Sequence, residues 1–115
     1  MSQNQVIKTE KPWGYELLWA QTDHYAGKIL FIKEGHRLSL QLHEEKEETV
    51  FVLEGTLYLQ IGEKTYRLLP GESYHIPPKT VHRMSARECN TKVAEVSTPQ
   101  LADVVRLQDD YGRSR

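Results

Sequence analysis

The chain has 115 residues, 38% of them hydrophobic, and its 15 basic and 16 acidic residues leave a net charge of -1 at pH 7. This balance excludes a disordered chain and a nucleic-acid-coating protein, because it offers neither a large charge excess nor a surplus of cations for a phosphate backbone. The sequence has no run of 18 or more apolar residues and no apolar stretch near its start, so we expect no membrane span, no signal peptide and a cytoplasmic location.

Short β-strands are predicted along nearly the whole chain. An entry strand is expected at residues 17–20, and the later segments rich in Val, Ile, Leu, Thr and Tyr are separated by Gly, Pro or charged turns every 8 to 12 residues or so, at about the spacing of sandwiches and barrels. In chain order these segments are KILFIK, HRLSLQLH, ETVFVLEG, TLYLQIG, KTYRLLP, SYHIPP, VHRMSA and TKVAEVS. We expect one domain over residues 1–115, with a core from about residue 11 to 100. In the tail, 101–115, the segment LADVVRLQDDYGR loosely fits a short helix.

Polar side chains occupy strand positions where an all-β protein usually keeps a dry interior. Gln41 and His43 are two residues apart and therefore share one face of their strand. A tight return through residues 44–47 would bring Glu48 beside His43. His82 follows a Pro-Pro turn, after which a partner strand can carry its imidazole into the same interior. Two imidazoles, one carboxylate and one amide oxygen suit a divalent ion such as zinc, manganese, iron or nickel.

Without an ion, burial of these four groups would be costly. Each unpartnered polar group costs about 1 to 3 kcal/mol, against a total domain stability of about 5 to 15 kcal/mol. The spacing leaves a second interpretation open, in which the side chains hydrogen-bond to one another or face water on an open sheet. His24 and His36 are expected at the surface, and His75 could line the barrel. The run EEKEE, residues 44–48, is expected to form a solvated hairpin turn, and the single Cys89 excludes an intrachain disulfide.

The spacing of several glycines and of the four polar residues resembles the two motifs of the cupin family. The first motif matches Gly35, Gln41, His43, Glu48 and Gly55, and the second matches Gly71, Pro77 and His82. Two positions depart from the pattern: Gln41 replaces the usual first His, and Lys79 stands where Gly is usual. The resemblance implies an all-β, single-domain cupin, a double-stranded β-helix or jelly-roll barrel, with a short C-terminal tail.

One branch of that family is matched more closely. The motifs KPWGYE, GHRLSLQLH, YHIPPKTVHR and DVVRLQDDYGR occur in this order and resemble the cupin domain of type II mannose-6-phosphate isomerases, a domain often fused behind a GDP-mannose pyrophosphorylase. The resemblance covers about residues 11–113. It implies one metal ion, usually zinc in that family, whose ligands would be Gln41, His43, Glu48 and His82.

This resemblance implies a metal-dependent aldose-ketose isomerase that acts on mannose 6-phosphate or a related sugar phosphate. The ion would stabilise negative charge on the substrate oxygens while a proton moves between C1 and C2. We name Lys79 and Arg113 as candidate catalytic residues, and Arg83 and His75 as candidate substrate-binding residues. Arg113, in the family's YGR ending, is the first choice for the phosphate. The chain departs from the family at Lys46, where Arg is usual, which leaves the sugar open.

Two other functions are consistent with the same residues. The first is a non-catalytic cupin that binds a sugar or a small acid. The second is an oxygenase, because His43, His82 and Glu48 also form the two-histidine, one-carboxylate set of non-haem iron enzymes.

The same strand faces predict a homodimer. If the polar positions face inward, an apolar set faces outward and forms a patch that monomers rarely leave bare. We expect two copies to associate through that sheet. The outward set would be Leu38, Leu40, Leu42, Phe51 and Leu53.

Overall fold

The computed structural model describes residue 3 and residues 5–113, and these residues fold as β-structure without a helix. None of them belongs to a helix that is long and apolar enough to span a membrane. The strands of the described part of the chain are β1 (Ile7–Lys11), β2 (Gly14–Gln21), β3 (Ala26–Ile32), β4 (Leu40–Leu42), β5 (Glu48–Glu54), β6 (Leu57–Ile61), β7 (Lys64–Leu68), β8 (Ser73–Ile76), β9 (His82–Ala86), β10 (Thr91–Ser97) and β11 (Val105–Gln108).

The strands form two antiparallel sheets. A six-stranded sheet has the order β1-β2-β3-β10-β5-β8, and a five-stranded sheet has the order β11-β4-β9-β6-β7. Neighbours in space are often distant in sequence, as where β10 inserts between β3 and β5. This double-sheet arrangement confirms the predicted all-β, single-domain fold.

The hydrophobic core lies between the sheets and follows from strand alternation. In β5, Val50 and Val52 are fully buried whereas Phe51 and Leu53 are exposed, since successive side chains point to opposite faces. Burying an aliphatic side chain of this kind contributes about 1.5 to 3 kcal/mol. The buried apolar residues of both sheets form one cluster: Trp13, Leu30, Ile32, Leu38, Val50, Val52, Leu57, Leu59, Ile76, Met84, Ala86 and Val93.

Two expectations about the strand faces and the tail are wrong. Leu38 does not face outward but joins the core at 8% exposure, and Leu40 and Leu42 belong to the five-stranded sheet whereas Phe51 and Leu53 belong to the six-stranded sheet. The short helix expected in residues 101–113 is also absent, because Val105 and Arg106 pair with Leu42 and Gln41 in β11. Pairing with a strand far away in sequence decides the structure of this segment, whose local helical periodicity was weak. The tail therefore completes the five-stranded sheet.

Candidate metal centre

Three side chains that the sequence singled out converge between the two sheets. His82 comes from β9 of the five-stranded sheet, Glu48 from β5 of the six-stranded sheet, and His43 follows β4. Glu48 Oε1 lies 3.1 Å from His82 Nε2 and 3.6 Å from His43 Nε2. One ligand atom from each residue lies within 4.8 Å of the other two, so the three residues could hold one metal ion.

The hydrogen bonds of both imidazoles leave the Nε2 atoms free to bind an ion. His43 Nδ1 donates to the carbonyl oxygen of Asp103 at 2.5 Å, and His82 Nδ1 donates to that of Thr80 at 2.8 Å. With Nδ1 engaged by the backbone, Nε2 is the nitrogen of each ring that is available to an ion. The Nε2 atoms and both oxygens of Glu48 are buried without a hydrogen-bond partner in the described part of the chain. A backbone partner that fixes the tautomer is characteristic of metal-binding histidines.

Glu48 is held as a carboxylate at this site. Its side chain is almost completely buried, which by itself opposes ionisation. The neighbouring His43 and His82 and the Lys46 ammonium outweigh that effect and hold the pKa of Glu48 well below its usual range. An anionic oxygen beside two imidazole nitrogens suits zinc and the other divalent transition ions.

The structure also brings Gln41 to this face. Gln41 lies directly opposite His82 in the β4-β9 pair, and opposite residues of an antiparallel pair project to the same side. Its amide oxygen accepts a hydrogen bond from Ser39 Oγ at 2.8 Å. Gln41 and His43 line one pocket, while Glu48 and His82 are more deeply buried.

Lys46 and Glu95 extend the site and were missed from the sequence. Lys46 was expected in a solvated turn, yet it is only 5% exposed, with its Nζ 3.3 Å from Glu48 Oε2 and 3.4 Å from Glu95 Oε2. Glu44, Glu45 and Glu47 of the same run are exposed as predicted, whereas Glu48, its last residue, is buried. Burial, followed by the charge of Glu48, raises the pKa of Glu95 to about 7. The alternation of TKVAEVS could have revealed Glu95, because it shares the inward face of Val93.

The pocket beside the metal centre has a volume of about 110 Å³ and is rich in charged groups. Arg113 lines it, and its guanidinium makes a two-pronged contact with Asp109 at 2.8 and 3.0 Å. This contact is the main reason that the pKa of Asp109 falls to about 2. The other charged residues that line the pocket are Lys11, Glu16, Lys28, Lys46, Glu95 and Arg106.

The remaining candidates from the sequence lie elsewhere. Arg83 projects from the opposite face of β9 to His82, where it donates to the carbonyl oxygens of Leu38 and Gln108. It therefore does not reach the pocket. His75 does not line the barrel interior either, since it is exposed on the outer face of β8 and contacts Glu47.

Lys79 approaches the site through its backbone only. Its amide donates to the carbonyl oxygen of His43 at 2.6 Å, while its side chain is exposed. Its φ of 63° is a left-handed conformation that glycine adopts at little cost. This geometry explains why the corresponding position of the cupin motif is normally Gly.

Comparison with known proteins agrees with this fold. The family described as "Cupin domain" matches residues 28–94. The chain is similar to alginate biosynthesis protein AlgA of Pseudomonas aeruginosa, with 32% identity over 108 residues that cover 90% of this chain and 22% of that protein. It is also similar to mannose-1-phosphate guanylyltransferase RfbM of Salmonella typhimurium, with 28% identity over 109 residues, covering 91% of this chain and 23% of that protein. The chain thus spans less than a quarter of the length of these relatives.

Solved structures share the architecture at lower sequence identity. KdgF from Halomonas sp. has a TM-score of 0.75 at 19% identity, covering 84% of this chain and 90% of its own. A putative sugar phosphate isomerase from Acidithiobacillus ferrooxidans has a TM-score of 0.60 at 23% identity, covering 65% of this chain and 50% of its own. At these identities the likeness shows the fold alone.

These comparisons and the structure lead to one assignment. The family match covers more than half of the chain, and the curated relatives confirm the resemblance drawn from the sequence motifs. The two antiparallel sheets place the matched histidines and glutamate together in the interior. The chain therefore belongs to the cupin family.

Proposed function

We propose that this protein is a metal-dependent aldose-ketose isomerase for a sugar phosphate of the mannose 6-phosphate type. The observation that carries the proposal is a buried pair of imidazoles and a carboxylate, whose Nε2 and carboxylate oxygens have no hydrogen-bond partner among the described residues, beside a pocket lined by Lys, Arg and Glu side chains. The similarity to a mannose-1-phosphate guanylyltransferase supports a phosphorylated sugar as the substrate. A small polar ligand also suits a protein whose net charge of -1 offers no surplus for nucleic acid.

In this proposal Gln41, His43, Glu48 and His82 hold one divalent ion, most simply zinc, with manganese, iron and nickel as alternatives. The ion would supply Lewis-acid stabilisation of the negative charge that develops on the substrate oxygens. The protein holds the phosphate through Arg113 at the pocket. Glu95 lines the same pocket, so its carboxyl oxygen is the proposed acceptor for the proton that moves between C1 and C2.

The direct test is conversion of mannose 6-phosphate to fructose 6-phosphate by purified protein that has been stripped of metal and then reloaded. We expect turnover with zinc or manganese and none after chelation. The Glu95→Gln variant should retain the ion but lose turnover, because its amide cannot accept the proton. The absence of turnover with every divalent ion tested would reject the isomerase.

Replacing Arg113 by glutamine should weaken substrate binding. A hydrogen bond to a charged group contributes about 1.5 to 3 kcal/mol, so we expect KM for the sugar phosphate to rise about 10- to 100-fold. The value of kcat should change little, because the phosphate is bound equally in the ground state and the transition state. The matched control is Arg87→Gln, since Arg87 stacks on Tyr58 and does not line the pocket. An equal rise in KM for both variants would contradict this role for Arg113.

A second candidate function is supported by the ligand set itself. The two histidines and one carboxylate that converge here are also the ligand set of non-haem iron oxygenases. Oxygen uptake that depends on ferrous iron, without sugar isomerisation, would favour this function. Tight binding of a sugar phosphate or small acid without either reaction would favour a non-catalytic cupin.

We also propose that the protein is a homodimer that associates through the outer face of the six-stranded sheet. Phe51, Leu53 and Val96 are exposed there on the adjacent strands β5 and β10, and Tyr15 stacks on Phe31 further along the same face. Exposed apolar patches of this kind mark protein–protein interfaces, and a two-fold dimer uses the same patch on both subunits. The free thiol of Cys89 is consistent with the cytoplasmic location that we propose for this dimer.

The Val96→Arg variant tests the dimer. Val96 lies in β10, within the sheet, so a guanidinium there would have to be desolvated in the dimer interface. In sedimentation we expect the unmodified protein to have twice the chain mass of 13.4 kDa and the variant to have the chain mass. The control is Leu107→Arg, an exposed position on β11 of the other sheet, which should remain dimeric. A single-chain mass for the unmodified protein at micromolar concentration would overturn this proposal.

A further inference from the structure

Asp103 lies in the C-terminal segment and fastens that segment to the turn between β4 and β5. Its carboxylate accepts three backbone N–H groups, from Glu44 at 3.0 Å, Glu45 at 2.7 Å and Lys46 at 2.9 Å. These bonds lower the pKa of Asp103, with the amide of Glu45 as the largest cause. One side chain thus fixes the turn that connects His43 to Glu48.

The backbone of the same residue fixes His43. The carbonyl oxygen of Asp103 accepts the Nδ1 hydrogen of His43 at 2.5 Å, across 60 residues of sequence. The corresponding bond of His82 is local, because its acceptor, Thr80, is only two residues away. The tautomer and ring orientation of His43 therefore depend on the docking of the C-terminal segment, whereas those of His82 do not.

We propose that Asp103 is a positioning residue for the metal centre. Its carboxylate holds the C-terminal segment on the 44–46 turn, and its carbonyl oxygen then binds Nδ1 of His43 so that Nε2 faces Glu48. The segment also supplies Leu101, Val104 and Arg113 to the pocket wall, so the same anchor shapes the space beside the ion. This inference rests on the metal site of the proposed function but not on the identity of its substrate.

The first experiment uses metal-free protein and requires no activity. In nitrogen-15 NMR spectra, Nδ1 of His43 in the unmodified protein should carry the hydrogen that it donates to the carbonyl oxygen of Asp103. In Asp103→Ala, His43 should become a mixture of tautomers while His82 keeps its signals. If the alanine variant folds poorly, Asp103→Asn can be measured in its place. It retains one acceptor oxygen, so we expect an intermediate result. An unchanged His43 tautomer in a folded Asp103→Ala variant would overturn the proposal.

The second experiment measures zinc affinity by competition with a chelator. Loss of a residue that orients a metal ligand typically weakens metal binding about 10- to 100-fold, and we expect the lower end of that range for Asp103→Ala. The control is Asp110→Ala, which removes a carboxylate of the same segment that binds Arg37 instead. It should leave zinc affinity unchanged. Equal affinities for Asp103→Ala and the unmodified protein would count against the proposal.

Hydrogen exchange gives a third, reciprocal measurement. If docking of Asp103 strengthens metal binding, metal binding must strengthen docking by the same factor. Zinc should therefore slow exchange of the Glu44, Glu45 and Lys46 amides in the unmodified protein and have little effect on them in Asp103→Ala. Failure of sugar isomerisation would leave these results intact, since none of them involves a substrate. If the unmodified protein bound no zinc, the metal-dependent function would fail, while the NMR measurement would still decide the role of Asp103.

Discussion

Replacing His82 by alanine is expected to abolish stoichiometric metal binding. Its Nε2 is completely buried, lies 3.1 Å from Glu48 Oε1 and has no other partner in the described part of the chain. Without it, the ion would lose one of two imidazole ligands. An ion that binds only the folded state stabilises it by about 2.7 kcal/mol when present at 100 times its dissociation constant. The unmodified protein should show this stabilisation on addition of zinc, and His82→Ala should not.

Elemental analysis and thermal unfolding with and without zinc measure this result. His82→Gln keeps most of the side-chain volume and separates loss of a ligand from creation of a cavity. The control is His75→Ala, because His75 is exposed on the outer face of β8 and should leave metal content unchanged. One tightly bound ion per chain in His82→Ala would show that the ligand set is wrong.

Replacing Lys46 by methionine should destabilise the metal-free protein by about 3 to 5 kcal/mol, the usual cost of removing one partner from a buried ion pair. Lys46 Nζ lies between the carboxylates of Glu48 and Glu95, at 3.3 and 3.4 Å. Without it, the Glu48 carboxylate loses its neighbouring ammonium, and the pKa of Glu95, which is about 7 and is lowered by the Lys46 charge, rises further. The same variant should bind zinc more tightly, because the ion then takes the place of the Lys46 ammonium as the positive charge beside Glu48.

Denaturant unfolding of metal-free and zinc-loaded protein tests both parts of this prediction. Lys46→Met in combination with Glu95→Leu should recover only part of the lost stability, since it removes Glu95 but leaves the buried Glu48 carboxylate without its ammonium. The difference between the double variant and the sum of the single variants gives the coupling free energy. Equal destabilisation by Lys46→Met with and without zinc would contradict an electrostatic role for Lys46.

The all-β fold could be predicted from the sequence because its signals are local. Alternation in segments such as ETVFVLEG and TLYLQIG placed the strands correctly, and the same period put Gln41 and His43 on one face. The convergence of Glu48 and His82 required the family motifs as well, because their strands belong to different sheets. No local pattern could have specified that geometry.

The features that were missed all depend on contacts across the fold. Lys46 lies in a run of charged residues that is typical of a solvated turn, and only the positions of Glu48 and Glu95 explain its burial. The strand in the tail forms because β4 offers a free edge. Arg83 lies away from the pocket because it follows His82 directly in β9 and therefore projects to the opposite face of the strand.

The ligands of the candidate centre come from both sheets, and this has a consequence for folding kinetics. Glu48 and His82 meet only after the two layers have packed, so the centre cannot exist in a chain that has formed only one of them. When a contact stabilises the native state but is absent from the folding transition state, it slows unfolding and leaves the folding rate nearly unchanged. A bound ion would therefore mainly lower the unfolding rate of this small protein and so extend the lifetime of its native state.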